Sequence, residues 1–574
     1  MYHFRTATAL SLTALLAACG SDNGSNPTVA AEPNLNLPQL SAASSGTLVN
    51  CADLTTRFTF ANNTVASAEV VTAGALKLAG KDIPEHCLVK GSMYKRTGSD
   101  GKDYAIGYEM RMPKAWNGRF YYQGNGGLDG SVVTAMGNTG GGPVTGALLQ
   151  GFAVISSDAG HTGAQTTAFG FEAQSRLDYG YQAVGKLTPM AKELIKSAYG
   201  RAADRSYIGG CSNGGRHTMV AMARYGDQYD GFLAGAPGYN LPKAAIANLW
   251  GAQQYNKLAT AGATVVANGS PIPDLSTAFT NAERSYVAGR ILAVCDGLDD
   301  ATDGIVSDVA ACQAKFNFDS DVATCTSTRD GKCLTAAQKA VVKGQYAGFT
   351  TSAGAMLYNK FWWDAGIAGA GWGTWKFVNS LALDPLAVGT VFRVPPAFIA
   401  NPATDPLEPM VAQMSATNTT YTESGMSLMT PPNPADLKTL RDRGAKVMVY
   451  HGASDPIFSA ADTATWYDAL NGNNQNVAKQ FARFFVVPSM GHCSGGPAVD
   501  QFDMLSSLVN WVEKGQAPDS VVATGRGAGN AGGANVEYPA EWNAARTRLL
   551  CPYPLVARYA TGNIENASSF VCMK

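Results

Sequence analysis

The sequence predicts an α/β fold interrupted by a long insertion, and three observations predict it. From Cys51 to about Asn240, apolar strand-like runs alternate with helical segments, the pattern of a mostly parallel sheet covered by helices. Inside that stretch, Gly210-Cys-Ser-Asn-Gly214 lies between the end of a strand and the start of a helix, so a sharp turn carries Ser212. The core pattern then stops for roughly two hundred residues and resumes at about Ala445.

The chain begins with Arg5, an apolar run from Ala7 to Ala18, and Cys19. Residues 1–18 read as a secretory leader, since the run is too short to span a bilayer. Leu16-Ala-Ala-Cys19 matches the lipobox of bacterial lipoproteins, so Cys19 is the expected lipidation site, with cleavage of a plain signal peptide near Ala18 as the alternative. Residues 19–50, rich in Ser, Asn, Pro and Ala, have little to bury and read as a flexible tether outside the fold. The expected location is that of an exported protein, either an outer-membrane or periplasmic lipoprotein or a secreted enzyme, with membrane contact only through the lipid on Cys19.

Strands are expected over Tyr104–Arg111, Arg119–Tyr122 and Ala153–Ser156, a helix over Val184–Ala198, then the end of a buried strand at Arg205–Ile208 and an amphipathic helix over Arg216–Arg224. Between the last two, Gly210 and Gly214 let the backbone crowd through a turn that points the Ser212 hydroxyl outward. The amide of Asn213 then sits at a helix N-terminus, where it can meet a developing oxyanion.

A serine hydroxyl becomes a nucleophile only beside a base, and a histidine base needs a carboxylate to fix its tautomer. The chain has six histidines. His3 lies in the leader, His86 adjoins Cys87, and His161 and His217 are too close to the serine turn. In the expected order of serine, acid, histidine, the strand Lys446–Tyr450 runs into a loop with Asp455, which leaves His451 too early. The next strand, Phe484–Pro488, leads to Gly491-His492-Cys493. Ser212, Asp455 and His492 are therefore the candidate nucleophile, orienting acid and base.

A net charge of −1 and a pI near 6.6 give no electrostatic case for nucleic acid. With 46% hydrophobic residues the chain is not a disordered one, and 574 residues exceed a usual single domain. A phosphate-cradling G-x-x-x-x-G-K-[ST] loop is absent. Eleven cysteines suit an oxidising compartment, and removing Cys19 leaves an even ten. Cys211 directly precedes the candidate nucleophile and Cys493 directly follows the candidate base. A bridge between them would hold the two together by covalent geometry.

Gly-Cys-Ser-Asn-Gly-Gly-Arg216 with a distant Gly-His-Cys493 resembles the tannase and feruloyl esterase family of α/β hydrolases. The resemblance extends to Trp116-Asn-Gly-Arg-Phe120, Gln123-Gly-Asn-Gly-Gly127, Ser157-Asp-Ala-Gly-His161 and Cys551-Pro-Tyr-Pro554. It is strongest toward the branch acting on the monoester of terephthalate, over Tyr225–Gly231 and Asn240–Ala245. It implies an α/β-hydrolase core in two parts, 51–240 and 445–574, with a lid domain inserted over 241–444. It also assigns Gly127 as the second oxyanion donor. With local spacing, it suggests the pairs Cys51–Cys87, Cys295–Cys312, Cys325–Cys333 and Cys551–Cys572 beside Cys211–Cys493. No C-x-x-C pair supports a cysteine metal site.

Within the insertion, Asp296, Asp299, Asp300 and Asp303 crowd into eight residues. Hard oxygens on one loop suit Ca²⁺ better than Mg²⁺, though the spacing is not that of an EF-hand. The resemblance carries over Asp296, Asp299 and Asp303 as side-chain ligands, with the carbonyls of Ala301 and Ile305, for a structural ion. The same insertion holds Trp250, Trp362, Trp363, Trp372 and Trp375, read mostly as its own core, while the resemblance has lid aromatics walling an acyl pocket.

The expected activity is hydrolysis of feruloyl, galloyl or related phenolic esters by a monomer through an acyl-enzyme, without an organic cofactor. Mono(2-hydroxyethyl) terephthalate is the alternative substrate, and a serine peptidase or a non-catalytic adhesion lipoprotein are remoter readings. Phe458, three residues after Asp455, fits the pocket wall of the terephthalate branch. A terephthalate carboxylate would call for a cation, and Arg393 is the nearest candidate.

Overall fold

The computed structural model describes residues 32–142 and 146–574, so the leader and Cys19 lie outside the described residues. Nine strands form the central sheet: β1 Asn63–Val71, β2 His86–Thr97, β3 Asp103–Pro113, β4 Arg119–Gly124, β5 Ala153–Ser157, β6 Arg205–Cys211, β7 Gly231–Gly235, β8 Lys446–Gly452 and β9 Ala482–Val487. Their order is β9-β8-β7-β6-β4-β5-β3-β2-β1. The first six of that order run parallel, and β3, β2 and β1 extend the sheet as an antiparallel meander.

Alternation along each strand sends side chains to two apolar layers. Tyr122, Ile208, Phe232, Val447 and Phe484 face one, packed against helices α1 Ala183–Tyr199, α2 Asn213–Arg224, the first half of α3 Leu241–Asn256, and α4 Ala460–Asn473. Tyr121, Tyr207, Leu233, Met448 and Phe485 face the other, covered by α5 Met504–Lys514, whose Met504, Leu505, Leu508, Trp511 and Val512 make its buried stripe. The parallel strands are buried on both faces, which is why they read as near-continuous apolar runs.

The insertion leaves the sheet after β7 and returns at β8. It has its own core, built from Tyr255, Phe279, Val287, Ile291, Trp372 and Phe377. Helix α3 belongs to both cores, because its Leu241–Leu249 half packs on the sheet layer and Ala252 and Tyr255 on the insertion. Among the described residues no helix is long and apolar enough to cross a membrane.

The tether expectation needs correction over its second half. Residues from Glu32 onward are held against the folded core, with Leu35, Leu37 and Leu48 packed on one apolar layer and Leu40 on the other. The Leu35 amide donates to Gln480, Gln39 donates to the Val512 carbonyl, and the Ala43 amide donates to Glu513. Gly46–Thr47 adds a short antiparallel pair to Ala115–Trp116. Hydrogen bonds and a few scattered leucines hold the segment, and low overall hydrophobicity hid that from the sequence.

Candidate active site

Every parallel strand of the sheet ends on one edge, and the loops after β4, β6, β8 and β9 meet there. At the turn after β6, Ser212 has φ 65° and ψ −125°, a strained conformation for a residue with a side chain. Helix α2 starts at once, at Asn213, three residues earlier than the sequence suggested. The turn survives only because backbones can touch: a Cβ on Gly214 would lie 2.3 Å from the Gly124 carbonyl oxygen.

The structure brings the three candidate residues together. The Ser212 hydroxyl lies 2.8 Å from His492 Nε2, and His492 Nδ1 lies 2.7 Å from Asp455 Oδ2. Asp455 is fully enclosed and uses both oxygens: Oδ1 accepts the amides of Ile457 and Phe458, and Oδ2 faces His492 and, at 3.2 Å, His451 Nε2. Burial alone would raise this carboxyl, but the charge of His492 and the hydrogen bonds of the two histidines outweigh it and hold it well below the usual range.

His451 is the residue that sequence order dismissed. It sits at the end of β8 on the far side of Asp455, with Nδ1 facing the Thr463 hydroxyl at 2.9 Å and Nε2 also facing the Phe458 carbonyl at 3.1 Å. With acceptors on the Nε2 side and a hydroxyl donor on the other, neutral His451 carries its proton on Nε2. Its i, i+4 spacing to Asp455 was the available signal. The buried Lys376 had none. Its ammonium donates to the Pro456 carbonyl at 2.7 Å, pinning the Asp455 loop, and burial pushes it down to about 8.

All five expected disulfides are formed. Cys211–Cys493, with Cα atoms 5.9 Å apart, joins the serine turn to the histidine loop.

The pocket at Ser212 is walled by Gly127, Leu128, Tyr179, Asn213, Leu241, Trp375, Leu383, Asp384, Phe392, Ile457 and Phe458. Gly127 and Asn213, the candidate oxyanion donors, thus flank the nucleophile, and Gly127 takes φ 64°, which suits glycine. Trp375 and Phe458 set their rings edge-on to His492, at centroid distances of 4.9 and 5.3 Å. The other insertion tryptophans lie elsewhere. Trp372 fills the insertion core, Trp363 stacks on Tyr346, Trp250 packs on Phe349, and Trp362 lines a small cavity behind the Asp455 loop.

Arg393 does not reach this pocket. It lies outside the lining, and its guanidinium donates to the Ala397 carbonyl at 2.7 Å. Among the described residues no Lys or Arg lines the cleft, whereas Asp384 does. Burial raises the Asp384 carboxyl well above its usual range, and Lys376 acts against that rise.

The acidic loop of the insertion is drawn inward. Asp296 accepts the amides of Asp303 and Gly304, Asp299 accepts those of Ala301 and Ser307, and Asp303 pairs with the Arg548 guanidinium. Among the described residues no three His, Cys, Asp or Glu side chains converge as a ready metal cage. Among the described residues no Lys, Arg or His pairs with Asp299, and burial pushes its carboxyl up to about 7.

Comparison with known proteins places this geometry. Residues 87–573 match the family model described as tannase and feruloyl esterase. The chain is 40% identical over 529 residues to a mono(2-hydroxyethyl) terephthalate hydrolase of Piscinibacter sakaiensis, covering 85% of each chain. Among solved structures it resembles feruloyl esterase B from Aspergillus oryzae (TM-score 0.71, 24% identity, 91% of this chain and 99% of that one) and a tannin acyl hydrolase from Aspergillus niger (TM-score 0.66, 20% identity, 93% and 96%), likenesses of fold. With the serine turn, the histidine loop and the bridging disulfide in one place, and the family model spanning most of the chain, this protein belongs to the tannase and feruloyl esterase family of α/β hydrolases.

Proposed function

We propose that the protein is an exported serine carboxylesterase that hydrolyses esters of aromatic acids, with phenolic acyl groups preferred. The observation that carries it is the Ser212–His492–Asp455 relay, at 2.8 and 2.7 Å, opening into a cleft walled by Trp375, Phe392 and Phe458. In this reading His492 takes the Ser212 proton as the hydroxyl attacks the ester carbonyl. The amides of Asn213 and Gly127 receive the oxyanion, and His492 then protonates the leaving alcohol. Water repeats the sequence against the acyl-enzyme, and Asp455 stabilises the imidazolium at each step. Apolar walls suit a flat aromatic acyl group.

The phenolic preference rests on Asp384 and on the missing cation. A phenol hydroxyl can hydrogen-bond to Asp384, whereas a terephthalate carboxylate would be desolvated with no Lys or Arg among the lining residues. The second reading, the terephthalate monoester, is favoured by the 40% identical relative. A panel of methyl ferulate, methyl gallate and mono(2-hydroxyethyl) terephthalate separates them through kcat/KM. We expect both phenolic esters to exceed the terephthalate ester by about tenfold or more, the order of one good charge-assisted contact, and Arg393→Ala to leave all three within a factor of two. A selective loss of the terephthalate ester in that variant would establish the second reading, and faster turnover of short aliphatic esters would overturn the aromatic pocket.

For the acidic loop we propose a structural Ca²⁺ held by Asp296, Asp299 and Asp303 with the carbonyls of Ala301 and Ile305. What supports it is the donor chemistry of five oxygens on one loop and the burial of the Asp299 side chain with only hydrogen bonds of its own loop to meet it. The side chains would have to turn toward the ion. An ion bound only by the folded state stabilises it, so chelator should lower Tm by several degrees and added Ca²⁺ restore it, with kcat at low temperature kept. Identical melting of Asp299→Ala and wild type in calcium and in chelator would remove the site. Five disulfides suit an oxidising, extracellular setting. Lipidation of Cys19, a monomeric state and a small aromatic ester as sole partner complete the proposal.

A further inference from the structure

The two proposed oxyanion donors come from distant parts of the chain. Gly127 sits in the loop after β4 and Asn213 at the start of α2, 86 positions away by subtraction of their numbers. No disulfide joins those two segments, since the nearest one ties Cys211 to Cys493. The hole nevertheless works only if both amides point at one spot.

A buried polar network spans the gap. Asp129, two residues beyond Gly127, turns its side chain inward until it is 1% exposed. Its Oδ2 accepts from the Asn213 side-chain amide at 2.8 Å and faces His217 Nε2 at 2.9 Å. The Asn213 side-chain oxygen Oδ1 in turn accepts from Arg216 Nε at 2.6 Å, and Arg216 reaches the backbone carbonyls of Gly180 and Tyr179. The Tyr179 hydroxyl closes the circuit by donating to the Gly127 carbonyl at 3.1 Å.

Burial dominates the titration of Asp129 and His217, and Arg216 modulates it. Burial pushes the Asp129 carboxyl up and His217 down, while the Arg216 guanidinium favours ionised Asp129 and neutral His217. Neutral His217 then donates from Nε2 to Asp129 and offers Nδ1 to Arg216, 3.2 Å away. A carboxyl, a guanidinium and an imidazole share a space closed to water, and each is hydrogen-bonded. Satisfied networks of this kind rigidify what they touch, and here they touch the residues that carry both amides.

We infer that Asp129 is the positioning residue of the oxyanion hole, acting through the Asn213 side chain and His217 to fix the separation of the Gly127 and Asn213 amides. The inference rests on the proposed roles of Ser212, Gly127 and Asn213. It makes Asn213 bifunctional: its backbone N–H meets the oxyanion, and its side chain is the bolt.

The test is steady-state kinetics of methyl ferulate hydrolysis by Asp129→Ala, Asp129→Asn and Asn213→Ala beside Ser212→Ala, all below their melting temperatures. An oxyanion donor is worth about 10²–10³ in kcat, and a displacement near 1 Å costs about 10². Asp129→Ala should therefore lose about 10²-fold in kcat with KM within threefold. Asp129→Asn, which keeps one acceptor for Asn213, should recover at least tenfold of that loss. If Asp129→Ala does not fold, Asn213→Ala decides, since it keeps the backbone donor and loses only the bolt; it should fall tenfold or more in kcat. Wild-type kcat in Asp129→Asn and Asn213→Ala, or a loss confined to KM, would overturn the inference. Appreciable activity in Ser212→Ala would instead overturn the reading beneath it.

Discussion

Ser212→Ala is expected to lose about 10³-fold or more in kcat on any ester the protein accepts, and His492→Ala the same amount, because the members of a catalytic triad act as a unit. Neither variant should lose its fold, since the side chains contact one another across a cleft and contribute little to either apolar layer. Asp455→Asn should fall further than its small chemical change suggests, by up to about 10⁴-fold, as an amide would hold His492 in the wrong tautomer. Kinetics with circular dichroism on each variant checks the group. Retention of a tenth of the wild-type rate by Ser212→Ala or His492→Ala would refute the assignment.

Joint replacement of Cys211 and Cys493 by serine should damage both stability and catalysis. The bridge closes a loop over a sequence separation of 282 residues, which the chain-entropy model values at about 5 kcal/mol. Measured losses often fall short of that figure. The catalytic loss is the more diagnostic, because Ser212 and His492 each adjoin one of the bridged cysteines. A drift of about 1 Å in their separation costs on the order of 10²-fold. The decisive measurement is kcat at a temperature where the variant is fully folded. Wild-type kcat there would reduce the disulfide to a stabilising role.

What could be read from the sequence was whatever depends on order and local pattern. Strands such as Arg119–Gly124 and Lys446–Gly452 were legible because burial on both faces demands continuous apolar residues. The nucleophile was legible because the sharp turn at Ser212 demands glycine at 210 and 214 on either side of it, and acid and base followed from their order after later strands. The segment from Glu32 to Asn50 was misread because its few packed leucines are scattered among polar residues, and its hydrogen-bond partners Gln480, Val512 and Glu513 come from distant elements. Arg393 was the nearest candidate for the lid arginine of the terephthalate branch, and its guanidinium donates to the Ala397 carbonyl instead.

The sequence by itself determined the α/β class, the serine, acid and histidine, and the ten cysteines of the fold, since each is a property of spacing along one chain. Tertiary structure alone decided which groups meet across it. His451 stands behind Asp455, Asp384 enters the acyl cleft while Arg393 stays out, and Asp129 reaches from one oxyanion segment to the other. The physical reason is that a buried charge is tolerable only where its partners arrive from other elements, and no local pattern records which elements those will be.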